Sequence, residues 1–440
     1  MSLVVFPFKS EEPSLVLGNM ATAAANDSID EVWAVAADEG DGEMAVRAGA
    51  ADLAGASSKR VRVLLQERIG KYRPGKGDAM NTAVARAAEE GRERVHFYDA
   101  DITNFDSSWI DGAEAAADRG YGVVRHRFPR AATDAMITWM ITRPALARLF
   151  PGTFLPRLDQ PLGGEVLLSK DAVESLAASA MVRERSDWGI DTVLTYATSV
   201  MGIGLYEHHV ADGKRHALYG SLDELREMLI ECLDAARSLQ GLPGPALDAR
   251  HSSDPPSDVP EDLKRVVAYD IEGSKDLLGV AWPEDEASLV RSLPDELASR
   301  LLSDGPERSF RSIDAEIWYQ VHGFLLDGFE LGDPAWESLA FRLWLMRVLA
   351  YTTSEAQLGF DAAMDYLRST IDLYERAATS SRVGLPTSRI QRRTTRRAIM
   401  ATTPAMIITG RIPPPTNTRG AIRSAVARPK PLDTMSRDKV

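Results

Sequence analysis

Cysteine is almost absent from the 440-residue chain, which holds a single one, Cys232. That count excludes a disulfide framework and any metal site built on cysteine. Long apolar runs are missing as well. None approaches the ~20 residues that a bilayer-crossing helix needs, so an integral membrane protein is not expected. The opening MSLVVFPFKSEEP has no basic flank, and its apolar run is too short for a secretory signal. Cytoplasmic residence is therefore the expectation. Positive charge is also in short supply, with 51 Lys and Arg against 64 Asp and Glu, a net −13. Much of what there is gathers at one end. Residues 381–440 hold 13 Lys and Arg against two Asp, a balance of +11 that leaves −24 for residues 1–380. An acidic body argues against duplex nucleic acid as a partner, because binding to phosphates depends on Lys and Arg. A small anionic substrate needs only a few well-placed cations and stays compatible.

What remains is ordinary globular material. Apolar residues make up 44% and charged residues 26%, enough to bury a large core. The length suggests two or three domains, or one large domain with an appendage. The first half alternates between two periods. Strands are predicted over 3–8, 30–36, 60–65 and 95–98, and helices over 13–25, 44–54 and 78–90. Such alternation implies parallel β/α units with helices on both faces of a sheet. In sheets of that kind ligands sit beyond the carboxyl ends of the strands. From about residue 221 the pattern becomes helical. Ser221 and Glu224 form a capping-box signature. The proline-rich stretch 243–260 reads as a loop or linker, and 284–303, 310–327, 334–352 and 354–379 have helical apolar spacing. The expected division is an α/β domain over 1–220, a helical domain over 221–380 and a basic tail over 381–440. The tail, with Arg392-Arg393, Arg396-Arg397 and Pro413 to Pro415, has the composition of a disordered end.

Four segments carry candidate chemistry. His96-Phe-Tyr-Asp99-Ala-Asp101 runs an apolar strand into two carboxylates. A period of two puts both on one side of the chain, where hard oxygen ligands suit Mg²⁺ or Mn²⁺ carrying a diphosphate. A solvated turn is the plain alternative. Arg73-Pro-Gly-Lys76-Gly-Asp78 sets glycines and a lysine ahead of a helix, a favourable place for an anion, although the Walker A spacing is absent. Lys9 would join the same mouth. Pro161-Leu-Gly163-Gly164-Glu165 and Ser186-Asp187-Trp188-Gly189-Ile-Asp191 combine carboxylates, glycines and a tryptophan, which suits sugar recognition and equally a tight turn around a packed ring. Lys214-Arg215-His216, followed by Tyr219 and Gly220, forms a polar loop in which His216 either completes a metal shell, contacts phosphate or is structural.

Together, and in this order, these segments resemble the mannosylglycerate synthase family, retaining glycosyltransferases with the A-type nucleotide-sugar fold. The likeness is carried by VVFPFK, LQER, RPGKGD, MNTA, HFYDADIT, DAMITWMITR, QPLGGE, RSDWGIDT and LYGSLD within residues 1–230. It continues more loosely to about 375, and the tail after 380 has no counterpart. The resemblance implies a Rossmann-like A-type domain followed by a helical region. It implies GDP-mannose as donor, D-glycerate as acceptor and α-mannosylglycerate, a compatible solute, as product. Asp101 and His216 would ligate a divalent cation, Mg²⁺ or Mn²⁺, with Ca²⁺ and Co²⁺ as further candidates. Pro7, Lys9, Gln66, Lys76, Asp99, Ala100, Gly163 and Tyr219 would surround the nucleotide sugar. Arg130, Asp134 and Thr138 would bind glycerate, and Asp191, Asp101 and Arg130 would be the catalytic set. A homo-oligomer, dimer or tetramer, is also expected. If the segment after Pro129 is helical, Arg130, Asp134 and Thr138 share one face. Retention leaves two routes open, a double displacement on Asp191 or front-face attack assisted by the departing phosphate. Another small 2-hydroxy acid as acceptor, GDP-glucose as donor, and a non-catalytic nucleotide-sugar-binding protein are the alternatives.

Overall fold

The computed structural model describes residues 2–216 and 220–383. Its frame is built from eight strands: β1 (Ser2–Phe8), β2 (Ile29–Ala36), β3 (Arg60–Leu65), β4 (Arg94–Phe97), β5 (Val123–Arg127), β6 (Val166–Ser169), β7 (Leu205–His209) and β8 (His251–Ser253). They form one sheet in the order β3-β2-β1-β4-β6-β5-β7-β8. The helices α1 (Pro13–Ala25), α2 (Asp41–Ala56), α3 (Lys76–Glu89) and α4 (Ser107–Asp118) follow the first four strands in turn. Period two sorts the strand residues between two cores. Leu3, Val5, Val95 and Phe97 meet Met80, Ala83 and Val84 of α3 on one face. Val4, Phe6 and Phe8 meet Val16 and Met20 of α1 on the other. Each such side chain, taken fully out of water, contributes roughly 1.5–3 kcal/mol.

Three sequence expectations change. The sheet is mixed rather than parallel, because β6 runs antiparallel to both β4 and β5. β6 follows β5 only after the long connection 128–165, and its direction is set by its pairing with β4 and β5, which the βαβ alternation does not record. The stretch 243–260 holds the edge strand β8, parallel to β7. Three residues among prolines are too few to show a period. The helical reading over 284–303 divides at Pro294, which closes one helix and opens the next.

After β5 the chain forms a π-helical turn, Thr138–Thr142, that leads into α5 (Arg143–Leu149). It then passes α6 (Lys170–Ala178), α7 (Ala180–Glu184), α8 (Ile190–Val200) and α9 (Arg226–Ser238). The capping box is present: the Ser221 side chain accepts from the Asp223 N–H while Glu224 accepts from the Ser221 N–H. It opens a 3₁₀ turn, Leu222–Leu225, ahead of α9. The remaining helices are α10 (Ile271–Asp276), α11 (Glu284–Val290), α12 (Asp295–Leu302), α13 (Pro306–Ser309), α14 (Ala315–Gly328), α15 (Pro334–Thr353) and α16 (Phe360–Val383). They share one hydrophobic cluster with Ile137, Met140 and Ile141 of the π turn and with Leu229 and Leu233 of α9. Among the described residues no helix is long and apolar enough to cross a membrane. The disorder expected of the tail lies outside the described residues.

Candidate active site

The sheet order fixes where the polar loops meet. From β1 the chain steps outward through β2 and β3, then returns to the other side of β1 as β4. Ligands of open α/β sheets bind at that switch point, beyond the carboxyl ends. Lys9 follows β1 there and Asp99 follows β4. Because β6 is reversed, its leading end lies at the same edge and delivers Gly163, Gly164 and Glu165. The loops after β3, β5 and β7 add Gln66 to Lys76, Arg130 to Asp134, and Lys214 to His216. Asp191 projects from the first turn of α8.

These loops enclose a cleft of about 500 Å³ lined by Pro7, Lys9, Gln66, Lys76, Asp99, Ala100, Asp101, Arg130, Asp134, Thr138, Gly163, Asp191 and His216. The sequence-predicted set is thus brought together, apart from Tyr219, which lies outside the described residues. Its floor is a ladder of alternating charge. Lys214 Nζ donates to Glu165 Oε1 and to Asp99 Oδ2, each at 2.6 Å. Lys76 Nζ stands 2.9 Å from Asp99 Oδ1 and 3.2 Å from Asp191 Oδ2. Burial works against charge on Asp99, but the two ammonium groups outweigh it and hold its carboxyl well below the usual carboxylate range. Burial prevails at Glu165 and Asp191, which also face the charge of Asp99, and raises both. Gly164 passes so close to this ladder that a Cβ on it would lie 2.3 Å from Asp99 Oδ1.

The segment that sequence assigned to the acceptor differs from expectation. Arg130 and Asp134 are not on a helix, since regular helix begins only at Met136. Ala135, with φ at 56°, turns the chain through the left-handed region first, a conformation that costs a non-glycine residue roughly 1–3 kcal/mol. The turn still joins the pair, with Arg130 Nη1 donating to Asp134 Oδ2 at 2.9 Å. Asp134 is half-buried, which disfavours its charge, yet Arg130 prevails and keeps it below the usual range. Arg130 Nε is buried without a partner. Thr138 starts the π turn, a distortion common at functional sites.

Several contributors carried no sequence signal. Asn19 of α1 is buried and donates to the Ala100 and Ile102 carbonyls at 3.2 and 2.9 Å, bracing the two-carboxylate turn. Arg125 of β5 is buried and donates to the Gly163 carbonyl at 2.8 Å. Leu222, Met228 and Tyr269 complete the wall from beyond residue 220. Sequence flagged the loops that hold Glu165 and Lys214, but not their union across 49 positions.

The charge of the cleft suits a divalent cation. Among the described residues lining it, eight carboxylates (Glu11, Asp99, Asp101, Asp134, Glu165, Asp191, Glu224 and Glu227) stand against five Lys and Arg (Lys9, Arg73, Lys76, Arg130 and Lys214). A diphosphate entering such a place needs further positive charge. No three His, Cys, Asp or Glu side chains among the described residues converge into a complete metal cage. Asp101 and His216 fit the partial set that a cation shared with phosphate oxygens uses.

Comparison with known proteins places the chain in a family. The family described as mannosylglycerate synthase, GT domain, matches residues 2–238, and the mannosylglycerate synthase C-terminal domain matches residues 263–371. The mannosylglycerate synthase of Rhodothermus marinus is 44% identical over 379 residues, 85% of this chain and 94% of that protein. That of Selaginella moellendorffii is 42% identical over 374 residues, 84% and 89% respectively. A solved structure of glucosyl-3-phosphoglycerate synthase from Mycobacterium tuberculosis, in complex with Mn²⁺, UDP-glucose and phosphoglyceric acid, is 21% identical with a TM-score of 0.42. It covers 54% of this chain and 79% of its own. With both family domains matched in order and two relatives above 40% identity over most of its length, the chain belongs to the mannosylglycerate synthase family and is a glycosyltransferase of A-type fold.

Proposed function

We propose that the cleft moves mannose from GDP-mannose to D-glycerate with retention, giving α-mannosylglycerate. One juxtaposition carries the reading: the Asp99, Asp101, Lys76 and His216 group and the Arg130, Asp134 and Thr138 group line the same cleft. Family membership supports the product. Lys9, Gln66 and Lys76 hold the nucleotide; Gln66 Oε1 is buried without a partner, an acceptor awaiting a donor. Asp101 and His216 are the residues that would hold a divalent cation, which when bound offsets charge on the departing diphosphate. Asp191 Oδ1, likewise buried and unpartnered, accepts a sugar hydroxyl. Arg130 receives the glycerate carboxylate on its unpartnered Nε edge, because a guanidinium fork matches a planar carboxylate. Asp134 and Thr138 meet the glycerate hydroxyls.

The test is to incubate the protein and Mg²⁺ with a panel of nucleotide sugars and with glycerate, lactate or glycolate, and to identify products by NMR. α-Mannosylglycerate from GDP-mannose and glycerate is the expected result. Failure to transfer mannose to glycerate, or a β-configured product, would overturn the reading.

A further inference from the structure

The ladder across the cleft floor has two open ends. Glu165 gives Oε1 to Lys214, and Asp191 gives Oδ2 to Lys76. Their other oxygens, Glu165 Oε2 and Asp191 Oδ1, are both buried with no hydrogen-bond partner. Both residues line the cleft, and Glu165 has no exposed surface at all. Buried polar atoms in native proteins are almost always satisfied, and each exception asks for an explanation. Two acceptor-only oxygens on opposite ends of one rigid ladder match a ligand that offers hydroxyl donors in two directions. A pyranose does so.

We propose that Glu165 is a second acceptor of donor-sugar hydroxyls, facing the sugar from the side opposite Asp191, and that Lys214 is the positioning residue that fixes its carboxylate. The inference deepens the function proposed above and rests on it. Lys214 bonds both Glu165 and Asp99, so the loop after β7 and the reversed strand β6 are locked around the sugar together. Gly163, whose Cβ would come within 3.7 Å of Glu165 Oε2, leaves room beside that oxygen. Glu165 thus reads a different hydroxyl from Asp191, and the pair selects the arrangement of hydroxyls on the ring.

Binding reports the assignment without turnover. By calorimetric titration in excess Mg²⁺, the wild type, Glu165→Gln and Asp191→Asn are compared for GDP, GDP-mannose and GDP-mannose analogues that each lack one sugar hydroxyl. Glu165→Gln should weaken GDP-mannose binding about tenfold, the size of one hydrogen bond to a charged group, with GDP binding kept within about twofold. One analogue should show no further loss on that variant, and a different analogue should do so on Asp191→Asn. If Glu165→Gln fails to bind GDP, Glu165→Asp, which keeps the charge but shortens its reach, takes its place with the same expectation. Equal weakening of every sugar donor, or none, would show Glu165 to be held by buried water or to act only on Lys214, and would overturn the assignment. A wild type that makes no α-mannosylglycerate from GDP-mannose and glycerate would overturn it together with the proposed function, a result distinguishable from the first because no variant is involved.

Discussion

Gly164 is where one methyl group has the most leverage. Its Cβ would meet Asp99 Oδ1 at 2.3 Å and Lys76 Nζ at 2.4 Å, two atoms already bound to each other. Neither can give way without breaking the pair. Gly164→Ala is expected to lower kcat/KM by roughly 100-fold or more while shifting the melting temperature by only a few degrees, since the clash stays inside the cleft. Turnover near the wild-type rate would show that the ladder is yielding. Arg130 is where the proposed acceptor and donor sides can be told apart. Losing a charge-assisted contact to a carboxylate in a desolvated site costs about 2–4 kcal/mol, or roughly 30- to 1000-fold in kcat/KM. Arg130→Ala should therefore raise the KM for glycerate far more than that for GDP-mannose. Arg130→Lys should recover only part of the loss, because an ammonium forms no parallel fork. Unchanged glycerate dependence would move the acceptor site elsewhere.

Between β4 and α4 a buried contact links strand to helix. His96 Nε2 and Glu114 Oε1 lie 2.8 Å apart, and Arg94 donates to the other carboxylate oxygen. Burial pushes the Glu114 carboxyl up, but the bonds from His96 and Arg94 win and bring it down to about 2. A carboxyl lowered in the folded state stabilises it above the ordinary glutamate range and ceases to do so as pH falls through the folded value. Glu114→Gln should accordingly be less stable than wild type at pH 7, with the gap in melting temperature closing as pH falls from about 5 to about 2. A gap independent of pH would show the pair to be a packing contact. The same two elements show what sequence made legible. β4 was readable because Val95 and Phe97 enter one core while Tyr98 enters the other, and the carboxylates that end it announced the site. The direction of β6 was not, because strand polarity is set by its partners and by a turn near Gly163. Nor was the route from Arg130 to Asp134. A four-residue spacing suggests a helix, whereas a turn closed by the Asp134 N–H on the Ala131 carbonyl produces the same meeting by other means. The bond between Glu165 and Lys214 depends on two loops closing on one edge, which no local pattern records.

Across the whole molecule, the α/β part and the later helices are not separable layers. Ile137, Met140, Leu229 and Leu233 are buried against the cluster that α14 and α15 complete. A chain ended at residue 240 is expected to aggregate or to lack a cooperative thermal transition, because these side chains would face water. A well-folded product would mean that the first part closes its own core. Removing 387–440 should instead leave activity within about twofold, since every described residue lining the cleft precedes 270 and the family match ends at 371. A large loss of turnover would assign the tail a role in the site.

The later helices also reach into the acceptor side through the backbone. Tyr351 Oη donates to the Ala132 carbonyl at 2.8 Å, Trp344 Nε1 to that of Met136 at 3.4 Å and Trp318 Nε1 to that of Met140 at 2.8 Å. The loop carrying Arg130 and Asp134 thus hangs from α14 and α15, whereas the donor loops are rooted in the sheet. This arrangement gives evolution two handles on one enzyme. On the acceptor assignment proposed above, substitutions on α14 and α15, far from the cleft, should shift the choice of acceptor acid while leaving donor binding unchanged, because only the loop that carries Arg130 and Asp134 hangs from those helices.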